Sequence, residues 1–259
     1  MLTDKQLAEY DEAGFVRIEA FADSATCQAM LDRVIAVSRA HAEGDRSAGW
    51  LLPEANLVGS EGRPEQLVSK IFRLHRDSVF QEWITSPDVV DIAADIVESP
   101  DVDCFLSQFI FKNPGAWGQP WHQDSHYFAF GPENGGRPIL GLWLAVTEAT
   151  LENGCLWVVP GSHKEPVHEH VNDRRPGANF GYREIVDHDM SQQIPVLMNA
   201  GDLLLFDSHL MHQSTDNLSD GIRAAMVYHC ARNGTVDLAN QAINDFMPVR
   251  TSASASNRV

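Results

Sequence analysis

The sequence is short of positive charge. Its 259 residues include 19 Lys and Arg against 36 Asp and Glu, which gives a formal net charge of −17. Proteins that bind nucleic acid or an anionic membrane surface need a basic patch. The composition therefore argues against both of these partners and favours a small molecule. An anionic ligand would need its own local cation, so any buried Arg or Lys is informative.

Long apolar runs and paired cysteines are also missing. No stretch approaches the eighteen apolar residues of a membrane-spanning helix. The opening residues MLTDKQLAEYDEAG are polar and acidic, unlike a signal peptide, and this predicts a cytoplasmic protein. The few cysteines have neither zinc-site nor redox spacing, so we expect reduced thiols in the core. They are Cys27, Cys104, Cys155 and Cys230.

Helical patterns occupy the first hundred residues, and strand patterns begin at residue 102. The patterns predict helices over 3–13, 23–42, 77–85 and 87–98, short strands over 15–18 and 68–74, and a long loop over 43–66. Later strands are predicted over 102–112, 139–149, 155–160, 193–198, 202–207 and 221–230. We therefore expect one domain over 1–259, mainly β with flanking helices, built as a jelly-roll barrel over about 102–230 on a helical support over about 1–100.

A polar insert over residues 161–192 interrupts the strands. Structureless segments of this length inside a compact domain are usually functional lids or disordered, and both interpretations apply to this insert. Its ligand-type and basic side chains are predicted to be solvated, because no third metal ligand lies close by in the sequence. They are His168, His170, Arg174 and Arg175.

The stretch WHQDSHYFAF, residues 121–130, carries a candidate metal site. On a strand, His122 and Asp124 would point to the same face, because side chains alternate with a period of two. A second histidine would complete the two-histidine, one-carboxylate set of non-haem Fe(II) oxygenases. His209 and His212 are both candidates. A polar turn without a metal is the alternative interpretation.

Arg223 lies in an apolar, strand-like run, GIRAAMVYH. A buried arginine needs an anionic partner, and the guanidinium group can hold a carboxylate through two parallel hydrogen bonds. A cosubstrate with two carboxylates fits this pattern, since one end could chelate a metal while the other meets Arg223.

Four segments together resemble the phytanoyl-CoA dioxygenase family of Fe(II)- and 2-oxoglutarate-dependent oxygenases. They are HQDSHYF (122–128), ATLENGCLWVVPGSHK (149–164), GDLLLFDSHLMHQS (201–214) and NLSDGIRAA (217–225). The resemblance covers roughly residues 68–230. It implies a double-stranded β-helix fold, the cupin-like jelly roll, and the use of Fe(II), 2-oxoglutarate and O2. It also implies that His122, Asp124 and His212 bind the iron, with His212 preferred to His209 by its spacing to Ser214 and Arg223.

The same resemblance implies that Arg223 and Ser214 bind the distal carboxylate of 2-oxoglutarate, with Trp143, Lys70 and Gln108 nearby. Asp124 implies hydroxylation of an aliphatic C–H bond, or a related desaturation, rather than halogenation, because related halogenases lack this carboxylate. Near the motif and in the flanking loops, the candidate substrate contacts are His126, Tyr127, Trp50 and Trp157. Neither a peroxisomal signal nor a basic patch for coenzyme A is evident.

Two further functions use the same residues differently. A metal-dependent hydrolase of cupin-like fold could share the three ligands, but it gives no reason for Arg223. A non-catalytic binding protein could retain the fold, but it predicts an incomplete ligand set.

Overall fold

The computed structural model describes residues 1–130, 139–178, 181–238 and 244–251. Its N-terminal part is helical, as predicted. Helix α1 (Asp4–Ala13) begins with a capping box formed by Thr3 and Gln6 and ends at Gly14, whose φ of 84° suits glycine. Strand β1 (Phe15–Ile18), α2 (Ser24–Ala42), α3 (Ser78–Ile84) and α4 (Pro87–Ile96) follow at the predicted places.

Together with β1, the remaining strands of the described residues form an eight-stranded sheet, a three-stranded sheet and a hairpin. They are β2 (Trp50–Pro53), β3 (Val68–Phe72), β4 (Val102–Lys112), β5 (Leu140–Ala145), β6 (Leu156–Val158), β7 (His170–Asn172), β8 (Arg183–Ile185), β9 (Ile194–Val196), β10 (Leu203–Asp207), β11 (His212–Ser214), β12 (Arg223–Arg232) and β13 (Met247–Arg250). The large sheet has the order β1-β10-β5-β12-β4-β3-β2, and β13 also pairs with β4. The small sheet has the order β11-β6-β9, and β7 pairs with β8.

The large sheet is buried on both faces. Because side chains alternate along a strand, Leu142 and Leu144 of β5 pack with the helices, whereas Trp143 and Ala145 pack with the small sheet. Strands β10 and β12 divide in the same way. Two open sheets thus enclose an inner space, and the helices cover the outer face of the large sheet.

Two sequence predictions about loops were incomplete. The predicted loop over 43–66 contains β2, which pairs with β3. The insert over 161–192 contains the β7–β8 hairpin. Strand β2 has four residues and β7 and β8 have three each, too few to show an alternation of apolar and polar residues. In the part of the chain that the structure describes, no helix is long and apolar enough to cross a membrane.

Candidate metal and cosubstrate site

Two histidines and one aspartate converge between the sheets. One ligand atom from each of His122, Asp124 and His212 lies within 4.8 Å of the others, and all three residues are buried. Asp124 Oδ1 is 3.6 Å from His122 Nε2 and 3.9 Å from His212 Nε2. This is the donor set and spacing that a single divalent ion requires.

The backbone brings these ligands together without a regular strand. His122 forms an isolated bridge with His212, through hydrogen bonds of 2.9 and 3.0 Å. Asp124 then begins a 3-10 turn over Asp124–His126. No regular strand carries His122 and Asp124, but Gln123 between them is extended, with φ −117° and ψ 131°, so both ligands lie on one side of the chain before the turn begins at Asp124. The intervening Gln123 points away and binds the backbone oxygens of Pro166 and His209.

Hydrogen bonds fix the tautomers of both histidines. His122 Nδ1 lies 2.7 Å from the Pro120 oxygen, and His212 Nδ1 lies 2.9 Å from the Leu210 oxygen. A ring nitrogen beside a carbonyl oxygen must donate, which leaves each Nε2 as the unprotonated nitrogen of a neutral ring. Burial, together with the neighbouring His212, holds the pKa of His122 well below its usual value. His122 is thus a neutral, ready metal ligand at neutral pH.

Asp124 is held by a further histidine that the sequence did not point to. His229 Nε2 donates to Asp124 Oδ2 over 2.8 Å, and His229 is buried on β12. Burial acts to raise the pKa of Asp124, but His229, His212 and His122 together hold that pKa well below its usual range. The carboxylate therefore stays ionised, with Oδ1 free to face a metal. Such partners beyond the ligands orient and tune a metal site.

Arg223 provides a buried cation in the same cavity. It is 1% exposed, its Nη2 donates to the Gly154 oxygen over 3.1 Å, and its Nε and Nη1 have no hydrogen-bond partner. Among the described residues, no carboxylate lies within ion-pair distance of it. Burial lowers the pKa of Arg223 to about 10, so it stays charged. Its guanidinium carbon lies 5.5 Å from the ring centroid of Trp143.

Two further polar side chains lie at this end of the cavity. Lys112 is buried at the end of β4, and its Nζ donates to Ser214 Oγ over 2.7 Å and to the Thr215 oxygen. Burial, followed by the positive charge of Arg223, depresses the pKa of Lys112. The sequence signal for Lys112 was its position at the end of an apolar strand, LSQFIFK, where a charged residue is unexpected.

Lys70 and Gln108 also face this space, from β3 and β4. Lys70 Nζ donates to Gln119 Oε1 over 2.7 Å and lies 4.8 Å from the ring centroid of Tyr182. Gln119 Nε2 lies 2.9 Å from His122 Nε2, so this amide is next to the metal-binding nitrogen. Neither Gln119 nor Tyr182 belongs to a motif, and sequence reasoning missed both.

The cavity measures about 340 Å³, which suits a small molecule. Its walls are largely apolar, and most of the predicted site residues line it. These are His122, Asp124, His212, Arg223, Ser214, Trp143, Lys70, Gln108, Tyr127 and Trp50. The predicted substrate contacts His126 and Trp157 do not line it. His126 instead stacks on His170 at 4.1 Å, and Trp157 faces a separate shallow depression.

The insert is less solvated than predicted. His168 and His170 are half-buried, and the His170 Nε2 accepts from the Gln123 amide over 3.0 Å. Arg175 binds Asp173 and lies over the ring of Trp117 at 4.9 Å. Only Arg174 matches the expectation, since 69% of its side chain is exposed. The hairpin packs against residues 121–127, and this contact removes its polar groups from water.

Comparison with known proteins identifies a family. The sequence model "Phytanoyl-CoA dioxygenase (PhyH)" matches residues 10–225. Phytanoyl-CoA dioxygenase domain-containing protein 1 of Bos taurus is 32% identical, over 88% of this chain and 89% of its own. Phytanoyl-CoA dioxygenase 1 of Oryza sativa is 28% identical, over 88% of each chain.

Solved structures show the same fold. EvdO2 from Micromonospora carbonacea, complexed with 2-oxoglutarate, matches with a TM-score of 0.67 at 20% identity, over 93% of this chain and 94% of that one. The epimerase SnoN, in complex with Fe3+ and alpha-ketoglutarate, matches with a TM-score of 0.65 at 18% identity, over 90% and 85%. The predicted fold class, mainly β with a jelly roll, is confirmed, although the sheets do not close into a barrel.

Proposed function

Because the chain belongs to the phytanoyl-CoA dioxygenase family, and is thus an iron- and 2-oxoglutarate-dependent dioxygenase, we propose that it hydroxylates an aliphatic C–H bond of a small molecule. The observation that carries the proposal is the juxtaposition of a metal-type donor set and a buried cation in one cavity. His122, Asp124 and His212 each direct a ligand atom to one point, and Arg223 is buried with Nε and Nη1 unpaired among the described residues. A dicarboxylate that chelates a metal at one end satisfies both.

The residues present fit the iron. His122 Nε2, His212 Nε2 and Asp124 Oδ1 would hold Fe(II), and a facial set of this kind leaves positions for a bidentate ligand and O2. Bound iron supplies O2 activation coupled to decarboxylation of 2-oxoglutarate, so substrate C–H, O2 and 2-oxoglutarate give substrate C–OH, succinate and CO2. The Pro120 and Leu210 carbonyls keep both ligand nitrogens unprotonated. His229 keeps Asp124 oriented and charged.

The other end of the cavity would bind the distal carboxylate. Arg223 offers Nε and Nη1, which have no partner and lie on either side of Nη2, so either one together with the second N–H of Nη2 could hold two carboxylate oxygens. Ser214 Oγ and Lys112 Nζ lie 2.7 Å apart in the same cavity and offer further donors. Trp143 packs beside the guanidinium group. Lys70, Gln108 and Gln119 would line the middle of this channel.

The apolar walls would receive the substrate and keep water from the reacting atoms. Of the predicted substrate contacts, we propose Tyr127 and Trp50. Trp50 lies at the rim of the cavity, with its ring tilted against that of Phe72 at a centroid distance of 5.0 Å. His126 and Trp157 stay proposals that this conformation does not support. The same proposal includes a lid role for the 161–192 insert and a single domain over 1–259. It also includes a cytoplasmic location and the lack of a nucleic-acid or membrane partner.

Anaerobic titration tests the assignment of both ends. The metal-free protein receives Fe(II) and then 2-oxoglutarate, while the visible metal-to-ligand charge-transfer band is followed. We expect the band in the wild type and its loss in His122→Ala and His212→Ala. Arg223→Ala should need at least about tenfold more 2-oxoglutarate, because a hydrogen bond to a charged group contributes about 1.5–3 kcal/mol.

Two matched controls sharpen the test. His209→Ala removes a neighbouring histidine outside the cluster, and Arg174→Ala removes an exposed arginine. Both should retain the band at wild-type concentrations. Iron binding without chelation of 2-oxoglutarate would refute the oxygenase assignment and favour the hydrolase or binding-protein alternatives. Once the band is seen, succinate release in a screen of small molecules identifies the substrate.

A further inference from the structure

A second set of ligand-type side chains converges at the base of the β7–β8 hairpin. Glu165 and His168 precede β7, and His188 follows β8. Glu165 Oε2 lies 2.9 Å from His168 Nε2 and 3.0 Å from His188 Nε2. One ligand atom from each of the three lies within 4.8 Å of the other two.

The surroundings of the two rings shield them in part. The His168 backbone amide donates to Gln123 Oε1 over 2.8 Å, and the two imidazole rings meet edge to face at 4.8 Å. The side chains of His168 and His188 are 22% and 16% exposed, and Glu165 is 41% exposed. The two imidazoles are thus partly shielded and pack on each other, while the carboxylate side stays open to water.

None of these three residues lines the cavity of His122, Asp124 and His212. A ligand held by them would therefore not contact a substrate bound in that cavity. Such a ligand would instead act on the cluster of His122, Asp124 and His212 by restricting the β7–β8 hairpin. Gln123 binds this segment through His168 and His170, and the Ile185 amide donates to the Trp121 oxygen over 2.8 Å. The hairpin is thereby attached to the loop that carries His122 and Asp124.

We propose that Glu165, His168 and His188 bind a second divalent transition-metal ion, of the zinc class, which clamps the base of the hairpin. Two imidazoles and one carboxylate, with a fourth position open to water, form a common zinc donor set. Mixed nitrogen and oxygen sites of this kind bind Zn2+ more tightly than Fe2+. The ion would join residues 23 positions apart, and closing such a loop restricts the hairpin before any substrate arrives.

Zinc stoichiometry provides the test. The full-length, metal-free protein is titrated with ZnCl2 by calorimetry and analysed for bound metal after desalting. We expect two zinc ions per chain in the wild type and one in His122→Ala/His212→Ala. We also expect one in His168→Gln/His188→Gln, with the affinity of the lost site reduced at least 100-fold. His41→Gln, on α2, is the control and should retain two.

A second measurement does not depend on the folding of any variant. Wild-type protein first receives Fe(II) and 2-oxoglutarate without oxygen, and then ZnCl2. Zinc and iron that together total two ions per chain, with slower hydrogen exchange over residues 165–188, support the proposal. A total of one ion per chain, or a total of two in His168→Gln/His188→Gln, overturns it. Because His122→Ala/His212→Ala lacks the first cluster, this site can fail or succeed independently of the proposed oxygenase function.

Discussion

The side chains around Asp124 determine which of its carboxylate oxygens can bind a metal ion. Asp124 Oδ2 is occupied by His229, and Oδ1 faces His122 and His212. A carboxylate that is already bound on one side can offer only the other side to an ion. The position of a buried histidine behind the ligand therefore sets the direction in which the ligand binds.

Replacing His229 should weaken metal binding without removing a ligand. In His229→Leu the Asp124 carboxylate loses its donor and its fixed orientation, so the affinity for Fe(II) should fall by about 10–100-fold. Metal titration under anaerobic conditions measures this. His75→Leu removes another fully buried histidine far from the cluster and should lower stability alone. Unchanged Fe(II) affinity in His229→Leu would mean that His229 only fills space.

His75 should make the protein sensitive to acid. The His75 Nε2 donates to the backbone carbonyl oxygen of Asp245 over 2.8 Å. Burial lowers the pKa of His75 below the usual value of about 6.5. Between the folded pKa and about 6.5 the unfolded chain binds the additional proton, so stability is lost as the pH falls below about 6.5. Urea unfolding of metal-free protein at pH 7 and pH 5 should show a larger loss in the wild type than in His75→Gln. An equal loss in both would contradict this assignment.

At the scale of elements, neighbouring strands leave no room for a side chain at Gly141, behind the ring of Phe206. Gly141 of β5 pairs with Phe206 of β10, and a Cβ at Gly141 would lie 2.2 Å from the Phe206 ring. That ring in turn lies 5.2 Å from the ring of His212. A strand glycine here gives space to an aromatic side chain that supports a metal ligand.

Gly141→Val should therefore displace Phe206. Overpacking of this kind costs about 1–3 kcal/mol of the free energy of unfolding. We expect a lower urea midpoint and weaker Fe(II) binding, because Phe206 contacts His212. Gly221→Ala, where the nearest atom is 3.9 Å from the added carbon, is the control and should leave both values unchanged. A variant that loses stability but binds Fe(II) normally would show that the position of Phe206 does not affect metal binding.

The sequence predicted long, regular elements better than short ones. Strand β4 (Val102–Lys112) has the bounds that its apolar pattern indicated, and α1 begins at its capping box. Strands β7 and β8 have three residues each, too few to show a period. The turn at Asp124 was missed because it depends on pairing between His122 and His212, which lie far apart in the chain. Likewise, His229 and Gln119 reach the cluster only through tertiary packing.

At the scale of the whole molecule, the apolar core surrounds a cavity that holds a buried positive charge, Arg223. Burying a charged arginine without an anion is unfavourable, and an apolar replacement of a buried charge often stabilises a protein by about 1–4 kcal/mol. Arg223→Met should therefore be more stable than the wild type when no ligand is present. The order should reverse in Mn(II) and 2-oxoglutarate, since a ligand at 100 times its Kd adds about 2.7 kcal/mol to the protein that binds it.

Thermal unfolding with and without the two ligands measures this reversal. Lys5→Met, at an exposed position of α1, serves as a control for the loss of one positive charge. It should unfold at the wild-type temperature without ligands and gain as much as the wild type when they are added. A less stable Arg223→Met without ligands would show that the arginine serves the fold rather than an anion.

Strand β12 carries Arg223 near one end and His229 near the other, on the same face of the sheet. Their α carbons are about 20 Å apart at about 3.3 Å per residue. Pairing with β4 and β5 on either side keeps this strand from shortening or stretching. The strand would therefore fix the distance between the two ends of the proposed dicarboxylate site. Oxaloacetate and 2-oxoadipate, one methylene shorter and longer than 2-oxoglutarate, should fail to reach both ends and should bind at least about tenfold more weakly in the same anaerobic titration.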